Sequence, residues 1–143
     1  MAASPYNKFN CFLADVTNKV HNLGGDVLKV CLTNVAPVAT NTVYANITDL
    51  TTQGGYTAGG TQSTTVSNTQ TTGTDTFILN PVTFTCNGVA NIGPFRYAVL
   101  YNSTPGSGNL IAWYDYGSST TLVNTGDTFT VNFSLVTGVF TLA

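Results

Sequence analysis

The sequence predicts an all-β protein, a jelly-roll-like β-sandwich of about eight to nine strands with one N-terminal amphipathic helix. Three observations lead there. About one residue in six is threonine, a β-branched residue that suits a pleated, half-exposed surface, and there is no glutamate at all. Short apolar or alternating runs recur at roughly 8–14 residues, separated by Asn-Gly, Thr-Pro-Gly-Ser-Gly and Asn-Thr-Gly-Asp turns, which is the spacing of a sandwich and not of βαβ units. Helical periodicity is convincing in one place only, at the N-terminus.

That segment opens with Ser4-Pro5, a hydroxyl able to cap free N–H groups before a proline whose missing N–H costs nothing in a first turn. Phe9, Phe12, Leu13, Val16 and Val20 then recur at steps of three and four, with Asn10, Asp15, Asn18 and Lys19 opposite them, until Gly24-Gly25. The expectation is one helix over residues 5–22. Strands follow at Val27–Thr33 and, after a polar link at Pro37–Asn41, at Val43–Leu50. The glycine pairs Gly54-Gly55 and Gly59-Gly60 around Tyr56 read as hinges of a flexible turn region. Thr61–Ser67 reads as a thin, exposed strand between mobile loops. Stronger strands are expected at Thr76–Leu79, Val82–Thr85, Phe95–Tyr101, Leu110–Tyr116, Ser119–Val123, Thr128–Phe133 and Val139–Leu142. In Thr128–Phe133 the alternation is strict, so Phe129, Val131 and Phe133 face a core while the threonines and asparagine face water. An eight-stranded jelly roll is the leading topology and an immunoglobulin-like sandwich the second.

At 143 residues one core suffices, so residues 1–143 read as a single domain, 1–25 a helical segment and 26–143 the sandwich. Only 7% of residues are charged, and the mean hydropathy of +0.16 is too high for disorder. Six aspartates against Lys8, Lys19, Lys29 and Arg96 leave a formal charge of −2, which provides no footprint for nucleic acid. No apolar run approaches a membrane span, and no basic start followed by an apolar stretch suggests a secretory signal, so neither a membrane nor export is expected. Cys11, Cys31 and Cys86 have neither disulfide nor zinc-site spacing and read as buried free thiols.

No catalytic, cofactor or metal residues are expected. His21 is the single histidine, placed near the end of the predicted helix, where a cation suits the helix dipole. Asp26, Asp75 and Asp127 fall where Asp side chains bond local backbone, and nothing pairs Asp115 with a second carboxylate as glycoside hydrolysis requires. The aromatic group Phe95, Tyr97, Tyr101, Trp113, Tyr114 and Tyr116 sits on strands whose alternation sends rings to both faces. At least one row must therefore stand half exposed or at an interface, a place where Tyr and Trp are favoured.

The blocks SPYNKFNCFLADVTNKVHNLGGDVLKVCLTN, ANITDL, GGYTAGG, GPFRYAVLYN and LIAWYDYGSS together resemble a family of small virion structural proteins of tailed bacteriophages. Its members look like the jelly-roll cement proteins that decorate the outer surface of phage capsids. The resemblance implies a non-enzymatic protein of the virion, assembled in the host cytoplasm, whose partners are the major capsid protein and copies of itself as a homodimer or homotrimer. It carries over no contact residues. From the residues themselves, Tyr6, Phe9 and Phe12 of the N-terminal segment and Tyr56 of the glycine loop are the first candidates for partner contact. The alternatives are a tail or baseplate component, or a carbohydrate-binding module in which Tyr56, Trp113 or Tyr114 stacks on host glycans.

Overall fold

The computed structural model describes residues 4–143. Among them are ten strands, all paired antiparallel, and one α-helix: β1 (Asn7–Lys8), α1 (Cys11–Thr17), β2 (Leu28–Thr33), β3 (Thr61–Ser63), β4 (Thr65–Thr71), β5 (Thr74–Leu79), β6 (Val82–Thr85), β7 (Ile92–Asn102), β8 (Asn109–Leu122), β9 (Thr128–Val131) and β10 (Phe140–Leu142). They form a five-stranded sheet in the order β1-β8-β7-β2-β3, a three-stranded sheet β10-β5-β4 and a two-stranded sheet β6-β9. The β-rich class read from composition is what the chain adopts.

The long β7–β8 hairpin organises the rest. Alternation along β7 sends Ala98 and Leu100 to one face, where they join Leu28, Val30 and Leu32 of β2 in the main core. Val99 and Tyr101 go to the other face and pack with Cys31, Leu110, Phe9 and Ile47. The middle of the sheet is thus buried on both sides. Burying an aliphatic or phenyl side chain contributes about 1.5–3 kcal/mol, and a one-residue slip would exchange the two faces, so packing fixes the register that sets Leu100 opposite Ala112 and Val99 opposite Trp113.

The two small sheets cover the inner face. In β6, Val82 and Phe84 are buried while Thr83 and Thr85 are exposed, and they face Val131 and Phe129 of β9. Phe129 packs at the edge of the main core and Val131 and Phe133 are buried in it, as the alternation requires, although the strand ends at Val131. The β4–β5 hairpin turns through Thr72 and Gly73, at φ +49° and +84°. Positive φ at both central residues is the signature of a tight turn whose twist matches the strands it joins.

Several expectations are corrected. The helix covers Cys11–Thr17 and not 5–22, and Leu13 of the supposed apolar stripe is exposed. The N-terminal segment crosses the sheet edge instead: Asn7 and Lys8 pair with Trp113 and Ala112 of β8, which puts Phe9 in the outer cluster and Phe12 in the main core. Sheet pairing has overridden a weak helical preference, and Lys19 at φ +63° lies beyond the helix end. Val43–Leu50 is no strand; it contains a 3₁₀ turn, Tyr44–Asn46, where Asn46 Oδ1 accepts from the backbone of Thr42 and Val43 and so competes with a ladder. The exposed segment at 61–67 is two strands, the second reaching Thr71. Leu110–Tyr116 and Ser119–Val123 are one strand, β8, running through Gly117 at φ +96°.

Candidate functional site

Two clusters of tyrosines stand on this scaffold. The first surrounds Asp49. Tyr56 is 1% exposed, its hydroxyl accepting from Leu32 N at 3.0 Å and donating to Asp49 Oδ1. Tyr44 donates to Asp49 Oδ2 at 2.6 Å, and so does the backbone N–H of Gly59. Tyr101 donates to Gly59 O at 2.6 Å and stacks on Tyr44 with ring centroids 4.9 Å apart. Burial pushes the Tyr44, Tyr56 and Tyr101 hydroxyls above their usual range, so all three stay protonated donors. The loop that read as a hinge is an anchored structure. Gly60, at φ +75°, lies against the backbone of β2 so closely that a Cβ there would meet Val30 O at 1.8 Å. Tyr56 is therefore a core residue and neither a partner contact nor a stacking platform.

Phe9 and Phe12 are corrected in the same way, while Trp113 stays half-buried. Phe9 is 0% exposed and packs on the Trp113 indole at 4.6 Å between centroids, so each covers the other. Phe12 is buried between His21 at 5.5 Å and Phe140 at 5.1 Å. Crossing the sheet edge buries these rings, which a free amphipathic helix would have offered to a partner.

His21 lies beyond the helix, and it does not cap the helix as a cation. It is buried, with Asn102 Nδ2 donating both to His21 Nδ1 at 3.1 Å and to Asp26 Oδ2. Its Nε2 is 3.9 Å from Asp15 and has no hydrogen-bond partner. Burial lowers the pKa below the ordinary 6.5, against the opposing pull of Asp15 and Asp26, so the ring is neutral at pH 7. Cys31 and Cys86 are buried and Cys11 half-buried, all as free thiols. Among the described residues, no cluster of three or more His, Cys, Asp or Glu is placed to hold a metal, and no helix is long and apolar enough to cross a membrane.

The second tyrosine cluster is open. Tyr6 and Tyr114, two further predicted contact residues, face each other edge to face at 6.2 Å between centroids. They line a half-open cavity of about 680 Å³. One wall is the sheet edge, where β8 continues past its short pairing with β1 through Tyr114 and Tyr116. The other is β9 with the turn that follows it, bringing Phe129 and Phe133, and Ser4 closes the N-terminal side. Every described lining residue is uncharged. The Ser4, Tyr6 and Tyr114 hydroxyls are buried with no partner, and burial pushes the Tyr6 hydroxyl up to about 12.

A second surface was missed from sequence. Val35, Val89 and Val123 are 55%, 89% and 52% exposed, and all stand at the end of the hairpin where β7 begins and β8 finishes. Asn34 is tied there to Ser119 at 2.9 Å, and Thr125 to the carbonyl of Asn87 at 3.4 Å, so these turns are fixed to one another. For Val89 alone the sequence holds a signal, an apolar residue directly after the turn glycine Gly88.

The class these features define is a β-rich antiparallel protein with an uncharged aromatic groove and an apolar end. No protein-family model, curated protein or solved structure matches the chain.

Proposed function

We propose that this protein is a non-enzymatic decoration protein of a tailed-phage capsid, a jelly-roll-type sandwich that binds the outer shell surface and bridges neighbouring major capsid subunits. The observation that carries this reading is the apolar end. Val35, Val89 and Val123 each face water in loops at the same end of the β7–β8 hairpin, in a chain with only ten charged residues, six acidic and four basic. Scattered exposed valines need no explanation, whereas several on mutually tethered turns suit a surface covered in an assembly. A protein that binds only the expanded, assembled shell stabilises it by mass action, and about 800 Å² per partner is an ordinary area for such a contact. With so little charge, affinity depends on apolar contact and on threonine and asparagine hydrogen bonds, so it should change little with salt.

The test is co-sedimentation of the purified chain with expanded empty shells, followed by an image reconstruction of the particle. Saturable binding at fixed lattice positions, weakened at least tenfold by Val89→Asp with Val35→Asp, is the expected result. Rings or tubes without shell binding would move the protein to the tail or baseplate, and turnover of a substrate by the purified chain would end the reading.

A further inference from the structure

We infer that His21 is an acid-operated latch, in which a proton taken up at Nδ1 breaks the bonding of Asn102 and frees residues 21–26 from the end of β7. The inference goes beyond the capsid reading and uses none of the valine-bearing surface. Asn102 is 0% exposed, and its amide orientation is fixed from two sides. Its Oδ1 accepts from the Thr104 N–H at 3.0 Å, and its Nδ2 donates to Asp26 Oδ2 at 2.5 Å. The other Nδ2 hydrogen goes to His21 Nδ1, 3.1 Å away, so Nδ1 is an acceptor and the neutral ring carries its own proton on Nε2. The same seam is closed by Asn22 N donating to Asp26 Oδ2 at 2.7 Å, Val27 N to Thr104 Oγ1 at 2.8 Å and Ser103 N to Val27 O at 2.9 Å.

A second proton finds no acceptor in the closed form. On Nδ1 it meets an N–H donor. Turning the Asn102 amide over offers Oδ1 to that proton, but sets the oxygen against the Asp26 carboxylate and the NH₂ group against the Thr104 N–H, so two bonds are lost for one gained. On the far side of the ring, Nε2 has no hydrogen-bond partner, and Asp15 Oδ2, 3.9 Å away, already accepts from Asn109 Nδ2 at 3.0 Å. Among the described residues, the charged groups acting on the ring are Asp15 of α1 and Asp26 before β2; β7 presents Asn102, and Phe12 packs on the ring at 5.5 Å. Burial is the largest influence and opposes the imidazolium, while both carboxylates favour it. The Cys11 thiol beside Asp15 is kept protonated by burial and by that carboxylate, so it adds no charge. Once released, the ring is solvated and binds its proton near the ordinary 6.5, whereas the closed ring binds it less readily. Each pH unit below that value therefore favours the open form by up to about tenfold, and opening uncovers the Phe12 ring that His21 covers.

The experiment is native-state hydrogen exchange of the isotopically labelled full chain from pH 7.5 down to 5.0, each amide's rate being divided by its intrinsic rate at that pH. This reads local opening even where the open form is rare. Protection of the Asn22, Val27, Ser103 and Thr104 amides should hold steady above pH 6.5 and fall below it by up to about tenfold per pH unit, while the Val99, Leu100 and Ala112 amides of the central hairpin keep theirs. His21→Gln, which leaves a neutral side chain at every pH, should abolish the fall. Protection of the four amides that is level down to pH 5.0, a fall shared equally by the hairpin, or a fall that persists in His21→Gln would each overturn the latch. The first two outcomes are read from the native chain alone, so the test stands even where the variant does not fold. Shell binding at neutral pH depends on Val35 and Val89 and acid release on His21, so either reading can fail without the other.

Discussion

The two tyrosine clusters use the same side chain to opposite ends. Around Asp49, the hydroxyls of Tyr44, Tyr56 and Tyr101 all have partners, and the carboxylate also takes the Gly59 N–H. Around the cavity, the Tyr6 and Tyr114 hydroxyls are equally removed from water and have none. A folded chain tolerates unpaired buried donors where something other than stability is selected. The Asp49 cluster pairs every hydroxyl it buries; the Tyr6–Tyr114 pair leaves both of its own unpaired.

Removing the centre of the closed cluster is the strongest way to test that contrast. Asp49→Ala strands two tyrosine hydroxyls and a backbone amide at once, and each unpaired buried group costs about 1–3 kcal/mol. Stability by urea denaturation should fall by about 3–5 kcal/mol. A loss below about 1 kcal/mol would mean that water replaces the carboxylate freely, and the distinction between the clusters would dissolve.

His21 stands between the two cases, with one ring nitrogen paired to Asn102 and the other orphaned. Burial sets its folded pKa below 6.5, so the unfolded chain takes up the proton first as pH falls. The stability that the neutral ring contributes is complete above pH 6.5 and declines below it, until the folded state also binds the proton. The slope from this one group cannot exceed about 1.4 kcal/mol per pH unit. Urea midpoints measured from pH 7.5 downward should show this decline in the native chain and lose it in His21→Gln. A native chain that gains stability between pH 6.5 and 5.5 would show that Asp15 and Asp26 outweigh burial.

How much of this was legible in the sequence follows from how local each cause is. Alternation in Thr128–Phe133 and in β7 is a local signal, and it placed Phe129, Val131, Phe133 and the two faces of Ala98 and Val99 correctly. The stripe of Phe9, Phe12 and Val16 is equally local, yet it mimics a long helix because a chain crossing a sheet edge also sends successive aromatics to different places. The glycines at 54–60 misled for the opposite reason. Gly60 is required by the backbone of Val30, thirty residues earlier in the chain and invisible in the local pattern, so close approach looked like flexibility. The cavity draws on residues from Ser4 to Val139 and leaves no contiguous trace. Only the half-exposed aromatic row hinted at it, through Tyr114 and, separately, Tyr6.

The smallest expected effect discriminates most sharply between the clusters. In the ligand-free chain, Tyr114→Phe removes a hydroxyl that has no partner and keeps the ring that packs on Tyr6 and on Phe133 at 6.0 Å. Nothing favourable is lost, and the desolvation penalty of a buried polar atom is relieved, so stability should stay level or rise by up to about 1 kcal/mol. A matched change that lost more than about 1 kcal/mol would reveal a bond to the Tyr114 hydroxyl within the fold itself. The Tyr6–Tyr114 pair would then be one more closed cluster.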